Sequence, residues 1–328
     1  MKNAKIIASG MYVPELSLPN SYFNELLGED VDTWLRENVN IYERHWCRDN
    51  ESTADLCMAA SKDALQNASL GPEDIDLIIV ATDTPEYISP STAAVLQHRI
   101  GAKNAGTFDL NSACAGFVTA TETATHYIRS GSVNNVLVVG AYAMSKYLDK
   151  TDKKTVTLFA DGAGAVVLTA TEEKNKGHQT GKLISQGQYA DWMGIYAGAT
   201  KTPLSQKVLD QKDHKLKFVK KFPPELNPKM WSGLAKELAN NMKIDASEVD
   251  QFFITQININ AIYETLRILE VDKDKAHTVM KHYGYTGSAC IPMAFHEAWE
   301  QQKIKEGDTL FFIGSGGGLA FAANAFIL

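Results

Sequence analysis

The sequence predicts an α/β fold built twice from alternating strands and helices. Asp250-Gln251-Phe252-Phe253-Ile254-Thr255 echoes Asp76 to Ala81 at an offset of 174 residues. Ser288-Ala289-Cys290 echoes Ser112-Ala113-Cys114 at an offset of 176. Each triplet precedes a helical pattern and then a buried strand, Val136 to Gly140 in the first copy and Leu310 to Gly314 in the second. Gly316-Gly317-Gly318-Leu319-Ala320-Phe321 likewise echoes the run from Gly162 to Val167. Similar offsets on separate features point to duplication, with halves at 1–172 and 173–328. Sites in such folds lie at the carboxyl ends of strands.

The elements follow in order. Lys5 to Ser9 reads as a strand ended by Gly10 and Pro14, and Asn20 to Asn38 as helical but patchy. Thr53 to Ala68 has helical periodicity, with Ser52 or Thr53 as its cap. Asp76 to Thr82 is a short apolar run suited to a strand covered on both faces. Pro90 to Ile100 is helical. A strand from Gly106 to Leu110 runs into small residues, and a helix from Gly116 ends near Ser130-Gly131. Asn135 to Gly140 is another buried strand, and Thr155 to Ala170 reads as two strands joined at glycines. Tyr189 to Pro228 reads as a long loop, a frequent carrier of function. Its lysines at 215, 217, 220 and 221 suit a solvated face, the alternative being a contact for an acidic carrier or a phosphate.

The chain has 328 residues, 45% of them apolar and 22% charged, with a formal net charge of -7. That balance argues against nucleic-acid or anionic-membrane binding through bulk charge. Cys47, Cys57, Cys114 and Cys290 show no metal-type or disulfide spacing, so a reducing cytoplasm and no metal are expected. No signal peptide or membrane span is expected either.

Cys114 falls in a tight strand-to-helix turn. Free N–H groups and the helix dipole favour a thiolate there, and such placement lowers a thiol pKa from about 8.5 to between roughly 3.5 and 7.5. Ala113, Ala115 and Gly116 leave room for a substrate. The alternative is a buried structural cysteine.

These residues carry a resemblance. Ile41-Tyr42-Glu43-Arg44-His45, the turn around Cys114, the run from Phe159 to Ala165 and Gly316-Gly317-Gly318 together resemble the β-ketoacyl-acyl-carrier-protein synthase III family of the thiolase-like superfamily. The resemblance implies a duplicated α/β/α/β/α layered fold, a homodimer, and acyl transfer through Cys114. It implies coenzyme A or phosphopantetheine thioesters as substrates, with no permanently bound cofactor. It also gives an oxyanion hole to the backbone N–H groups of Cys114 and Gly318, as a bare glycine backbone permits.

The family's His-Gln-Ala-Asn segment corresponds to Thr255-Gln256-Ile257-Asn258, which puts Thr255 at the His position; a one-residue slide would put Gln256 there. The family's Asn position is Tyr285, within Tyr283-Gly284-Tyr285-Thr286-Gly287-Ser288. Decarboxylation needs donors aimed at the developing enolate, each worth roughly 2.7–4 kcal/mol. Malonyl condensation is therefore expected to be impaired, while acylation of Cys114 survives. A related branch of the superfamily, the hydroxymethylglutaryl-CoA synthases, has its acid-base Glu at a similar place, so the resemblance implies Asp83 or Glu86, after the strand at 77–81, as a base, the alternative being a turn cap. None of the eight histidines falls at a matching site, and His126 and His282 read as structural. For the nucleotide end of coenzyme A the resemblance implies Trp34, Arg44, Lys153 and Asn260. Two rival expectations are a half-catalytic subunit paired with an intact homologue, and ordinary condensation with relocated groups.

Overall fold

Two sheets carry the fold in the computed structural model, which describes residues 2–328. In spatial order the first contains β1 (Asn3–Tyr12), β7 (Asp161–Thr171), β6 (Asn135–Ala143), β4 (Leu77–Ala81) and β5 (Gly106–Leu110). The second contains β11 (Gln251–Ile254), β12 (Thr309–Gly316), β13 (Ala320–Ile327) and β8 (Gly177–Ser185). Strand directions repeat along with the order. β4 runs parallel to β6, while β6–β7 and β7–β1 are antiparallel. β11 runs parallel to β12, while β12–β13 and β13–β8 are antiparallel.

Two helices, α5 (Gly116–Ser130) and α11 (Cys290–Glu300), lie between the sheets. The outer face of the first sheet is covered by α3 (Thr53–Ala68) and α4 (Thr92–Ile100). The outer face of the second is covered by α8 (Leu226–Met242), with α9 (Ile259–Ile268) beside it. The result is the layered α/β/α/β/α order. Every residue of β4 is buried because helices cover both faces of its sheet. Ser52 and Asp55 form a capping box at the start of α3. Phe253 stacks on Phe312 at 5.2 Å, and Phe295 meets both edge-on at 5.5 and 5.4 Å. Burying each ring contributes about 1.5–3 kcal/mol and seats α11 on the second sheet.

Connections hold the smaller elements. β2 (Leu16–Pro19) pairs with β3 (Glu43–Trp46), and β9 (Met193–Gly194) with β10 (Lys217–Phe218). The remaining helices are α1 (Asn20–Leu27), α2 (Asp32–Val39), α6 (Lys153–Val156), α7 (Gln206–Asp210) and α10 (Met280–Tyr283). The patchy span 20–38 resolves into two helices, because Gly28 takes a left-handed conformation and ends α1. Two expectations need correction. The span 155–170 is not two strands: α6 precedes one long strand, β7. Its glycines serve packing, since a Cβ on Gly164 would lie 2.7 Å from Cβ of Pro292 in α11. The region from Tyr189 to Pro228 holds the β9–β10 ribbon and α7, and Trp192 stacks on Phe222 at 5.5 Å. No described helix is long and apolar enough to cross a membrane.

Candidate active site

The turn between β5 and α5 is tightly specified. Ala113 has φ 46°, a left-handed value that a non-glycine residue adopts only when its surroundings enforce it. Its N–H donates to Asn111 Oδ1 at 3.0 Å, and Gly116 N–H donates to the Ala113 carbonyl at 2.9 Å. The end of β12 packs directly on this turn. A Cβ on Gly314 would lie 2.9 Å from Cα of Ala115, and one on Gly316 would lie 2.5 Å from the Cys114 nitrogen. These two glycines make room for the nucleophile turn itself.

Cys114 is only 2% exposed. The expected low thiol pKa is overturned: burial pushes it well above the ordinary value, and an ionised Asp83 pushes the same way. The Tyr285 phenol, through its contact with the sulfur, favours the thiolate, as the backbone of Cys114 does more weakly. Desolvation outweighs the helix terminus because little water reaches the sulfur.

Cys114, Thr255, Tyr285, Ser315 and Gly317 line a cavity of about 60 Å³. It adjoins a cleft of about 680 Å³, and Phe218, Phe222, Asn227 and Ile257 line both. Farther out the cleft is lined by Trp34, Lys153, Lys154 and Lys221, facing Glu29 and Asp30. Sequence reasoning singled out the stretch from Tyr189 to Pro228 as a carrier of function but gave Phe218, Phe222 and Asn227 no role of their own. Their only signal was two aromatic residues and a proline pair inside a lysine-rich stretch.

A family model for 3-oxoacyl-[acyl-carrier-protein] synthase III matches residues 108–187, and the model for its C-terminal part matches residues 239–327. Beta-ketoacyl-[acyl-carrier-protein] synthase III of Clostridium perfringens (strain ATCC 13124) is 37% identical over 326 residues, covering 98% of each chain. The chain belongs to the β-ketoacyl-acyl-carrier-protein synthase III family. The Sulfurovum sp. synthase III is 36% identical over 318 residues, 96% of this chain and 92% of its own. The crystal structure of 3-oxoacyl-[acyl-carrier-protein] synthase III from Aquifex aeolicus superposes with a TM-score of 0.89. It shares 31% identity and covers 99% of this chain and 100% of that one. Membership in the synthase III family makes this protein an acyl-transferring enzyme with a thiolase-like fold.

The structure brings some of the residues expected for a synthase III site together and leaves others out. Thr255 reaches the small cavity, but its hydroxyl ties β11 to β12: it accepts from Ser315 N–H at 2.9 Å and donates to the Ser315 carbonyl at 3.4 Å. Gln256 turns away, accepting from Val279 N–H at 2.8 Å and donating to the His277 carbonyl at 3.2 Å. Tyr285 is 1% exposed and packs on Phe159, with ring centroids 5.3 Å apart. Gly318 lies between Gly317 and Leu319, both of which line the small cavity. Trp34, 53% exposed, and Lys153 stand at the cleft, where Lys153 pairs with Glu29 at 3.0 Å.

Arg44 is corrected: it is fully buried, donating to Asn20 Oδ1 at 2.6 Å with its guanidinium 4.2 Å from the Phe23 ring centre. Burial lowers its pKa to about 9, and it does not line the cleft. Asn260 is also left out of the lining; its amide donates to the Asn38 carbonyl at 2.8 Å. Glu86 is occupied as well, accepting from Ala54 N–H at 2.9 Å at the start of α3. No histidine lines either cavity among the described residues. His282 and His126 are exposed and face Glu43 and Glu122.

Proposed function

We propose that this synthase III family member takes an acyl group onto Cys114 from a coenzyme A or acyl-carrier-protein thioester. It then passes that group to an acceptor that needs no decarboxylation. The observation that carries the reading is the small cavity: Cys114 shares it with Thr255 and Tyr285, and no imidazole enters it among the described residues. With Thr255 at the family's His position and its hydroxyl engaged by Ser315, nothing there replaces the imidazolium that would meet a developing enolate. Malonyl condensation is impaired on this reading.

The adjoining cleft supports the donor half. A long, mostly apolar passage suits an extended thioester arm, and Asn227 supplies an amide for its polar groups. Trp34 offers a ring for the nucleotide base, and Lys153 and Lys221 offer charge for phosphate. The backbone N–H groups of Cys114 and Gly318 would hold the thioester oxygen. A homodimer is part of the proposal, because β5 is the outer strand of its sheet, with one side free to pair.

Intact-protein mass spectrometry after incubation with a panel of acyl-CoAs and acyl carriers tests this. The expected result is an acyl adduct on the wild type that Cys114→Ala lacks. No adduct with any donor would overturn the acyltransferase reading in favour of a half-catalytic subunit. Robust ketoacyl product with malonyl carrier protein would overturn the impaired condensation.

A further inference from the structure

The cavity around the sulfur has an outer and an inner part. Phe218, Phe222, Asn227 and Ile257 form its neck, because they also line the cleft. Cys114, Met193, Tyr285 and Leu319 line the small cavity alone, so they lie inward of the neck. Asp83, expected as a base, lines neither space.

These inner walls differ in how firmly they are held. Tyr285 N–H donates to the Leu158 carbonyl and Ala160 N–H donates to the Tyr285 carbonyl, each at 2.9 Å, while Phe159 supports the ring. Leu319 N–H donates to the Gln186 carbonyl at 3.1 Å, and the Leu319 carbonyl accepts from Gln186 N–H at 2.8 Å. Met193 is held more lightly. Its strand β9 pairs only with the equally short β10, which presents Phe218 opposite Met193. The Trp192 carbonyl steadies the ribbon, accepting from Val219 N–H at 2.8 Å and from Lys220 N–H at 3.1 Å. The ribbon rests on the glycine loop: a Cβ on Gly317 would lie 3.5 Å from the Met193 carbonyl oxygen. The Met193 side chain itself is unbranched, rotatable and only partly buried.

We propose that Met193 sets the length of the acyl chain that Cys114 accepts, with a limit of about five carbons. The proposal rests on Cys114 being the acylated residue, as argued above. In the transfer the carbonyl carbon leaves the donor's sulfur for that of Cys114, and the thiol proton ends on the departing sulfur. While the donor is bound its arm fills the neck, so the chain beyond the carbonyl must end inside the small cavity. That cavity holds about 60 Å³. A water-sized group needs about 10–15 Å³ of such space, so about four to six non-hydrogen atoms fit. The carbonyl carbon and oxygen occupy part of it and leave about two to four atoms for the rest of the chain, which ends against the Met193 side chain.

The other inner walls have little room to give. Thr255 and Ser315 are tied together, Gly316 packs against the Cys114 nitrogen, and Tyr285 rests on Phe159. A longer chain therefore displaces the methionine first, and with it the short β9–β10 pairing. In an apolar pocket one methylene too many costs about 10-fold or more in kcat/KM. A smaller side chain at position 193 moves the limit outward and a larger one moves it inward. Neither change alters the sulfur or the glycine backbone beside it.

The test follows the rate of Cys114 acylation in the full-length protein by intact-protein mass spectrometry, with acetyl-, butyryl-, hexanoyl-, octanoyl- and decanoyl-CoA as donors. The wild-type rate is expected to fall about 10-fold or more between butyryl-CoA and octanoyl-CoA. Met193→Ala raises the octanoyl-to-butyryl rate ratio about 10-fold or more, and Met193→Phe lowers the butyryl-to-acetyl ratio about 10-fold. Ratios cancel any general loss of folded enzyme, and should one variant fail to fold, the wild-type profile and the other variant decide. Octanoyl loading as fast as butyryl loading in the wild type overturns the length limit. Chain-length profiles unchanged in the variants overturn the role of Met193. Absence of any adduct at every chain length is a different outcome: it overturns the acyltransferase reading itself, and this proposal with it.

Discussion

The Cys114 nitrogen stands 2.5 Å from the point that a Cβ on Gly316 would occupy. The second half of the chain therefore braces the nucleophile turn of the first. Gly316→Ala is expected to destabilise the protein by about 1–3 kcal/mol through overpacking. Its Tm falls, and the Cys114 acyl adduct weakens or disappears because the turn must shift. An unchanged Tm with full acylation would contradict the packing argument.

Thr255 is expected to matter for stability and not for loading. Thr255→Val keeps the shape and removes the oxygen that Ser315 N–H uses. A buried donor left without a partner costs about 1–3 kcal/mol. Denaturant unfolding should show that loss, while the rate of Cys114 acylation stays within twofold of wild type. A large fall in acylation at unchanged stability would return Thr255 to the chemistry.

Trp34 and Arg44 should separate cleanly. Stacking of a base on an aromatic ring is worth about 1–3 kcal/mol by alanine substitution. Trp34→Ala should therefore raise KM for an acyl-CoA about tenfold or more, with little change in Tm. Arg44→Met should leave KM within twofold, since the guanidinium is buried against Phe23 and Asn20. Equal KM effects in the two variants would mean that Arg44 reaches the donor after all.

The pH dependence of stability tests the Asp83 environment. Its carboxyl sits at about 6 in the folded protein against an ordinary 3.8. The folded form thus holds its proton more tightly than the unfolded form. The stabilising contribution is complete below about pH 4 and is lost as pH rises through 6. A gap of about two pH units corresponds to about 3 kcal/mol. Asp83→Asn should therefore be more stable than wild type at pH 7.5 by up to about that amount, with the difference fading below pH 4. Equal urea midpoints at both pH values would place Asp83 in water.

Periodicity and repeat spacing determined the architecture. Residues 53–68, 106–110 and 116–130 have the same bounds in sequence and structure, because capping residues, glycines and short apolar runs act locally. The offsets of 174 and 176 residues correspond to four strands that recur in the same order in the two sheets, with β5 having no counterpart in the second. Cys114 was legible as a candidate because its turn is contiguous in the chain.

Only the tertiary structure decided what depends on distant neighbours. It made Gly162 and Gly164 packing positions inside one strand, because Met293 and Pro292 press on them from α11. It placed Arg44 inside, showed the Thr255 hydroxyl engaged by Ser315, and brought Phe218, Phe222 and Asn227 to the path toward the sulfur. It also raised the Cys114 pKa where the local turn alone suggested a fall. A turn is written in consecutive residues, whereas burial sums over every element that closes on an atom, and that sum forms only when the two halves meet.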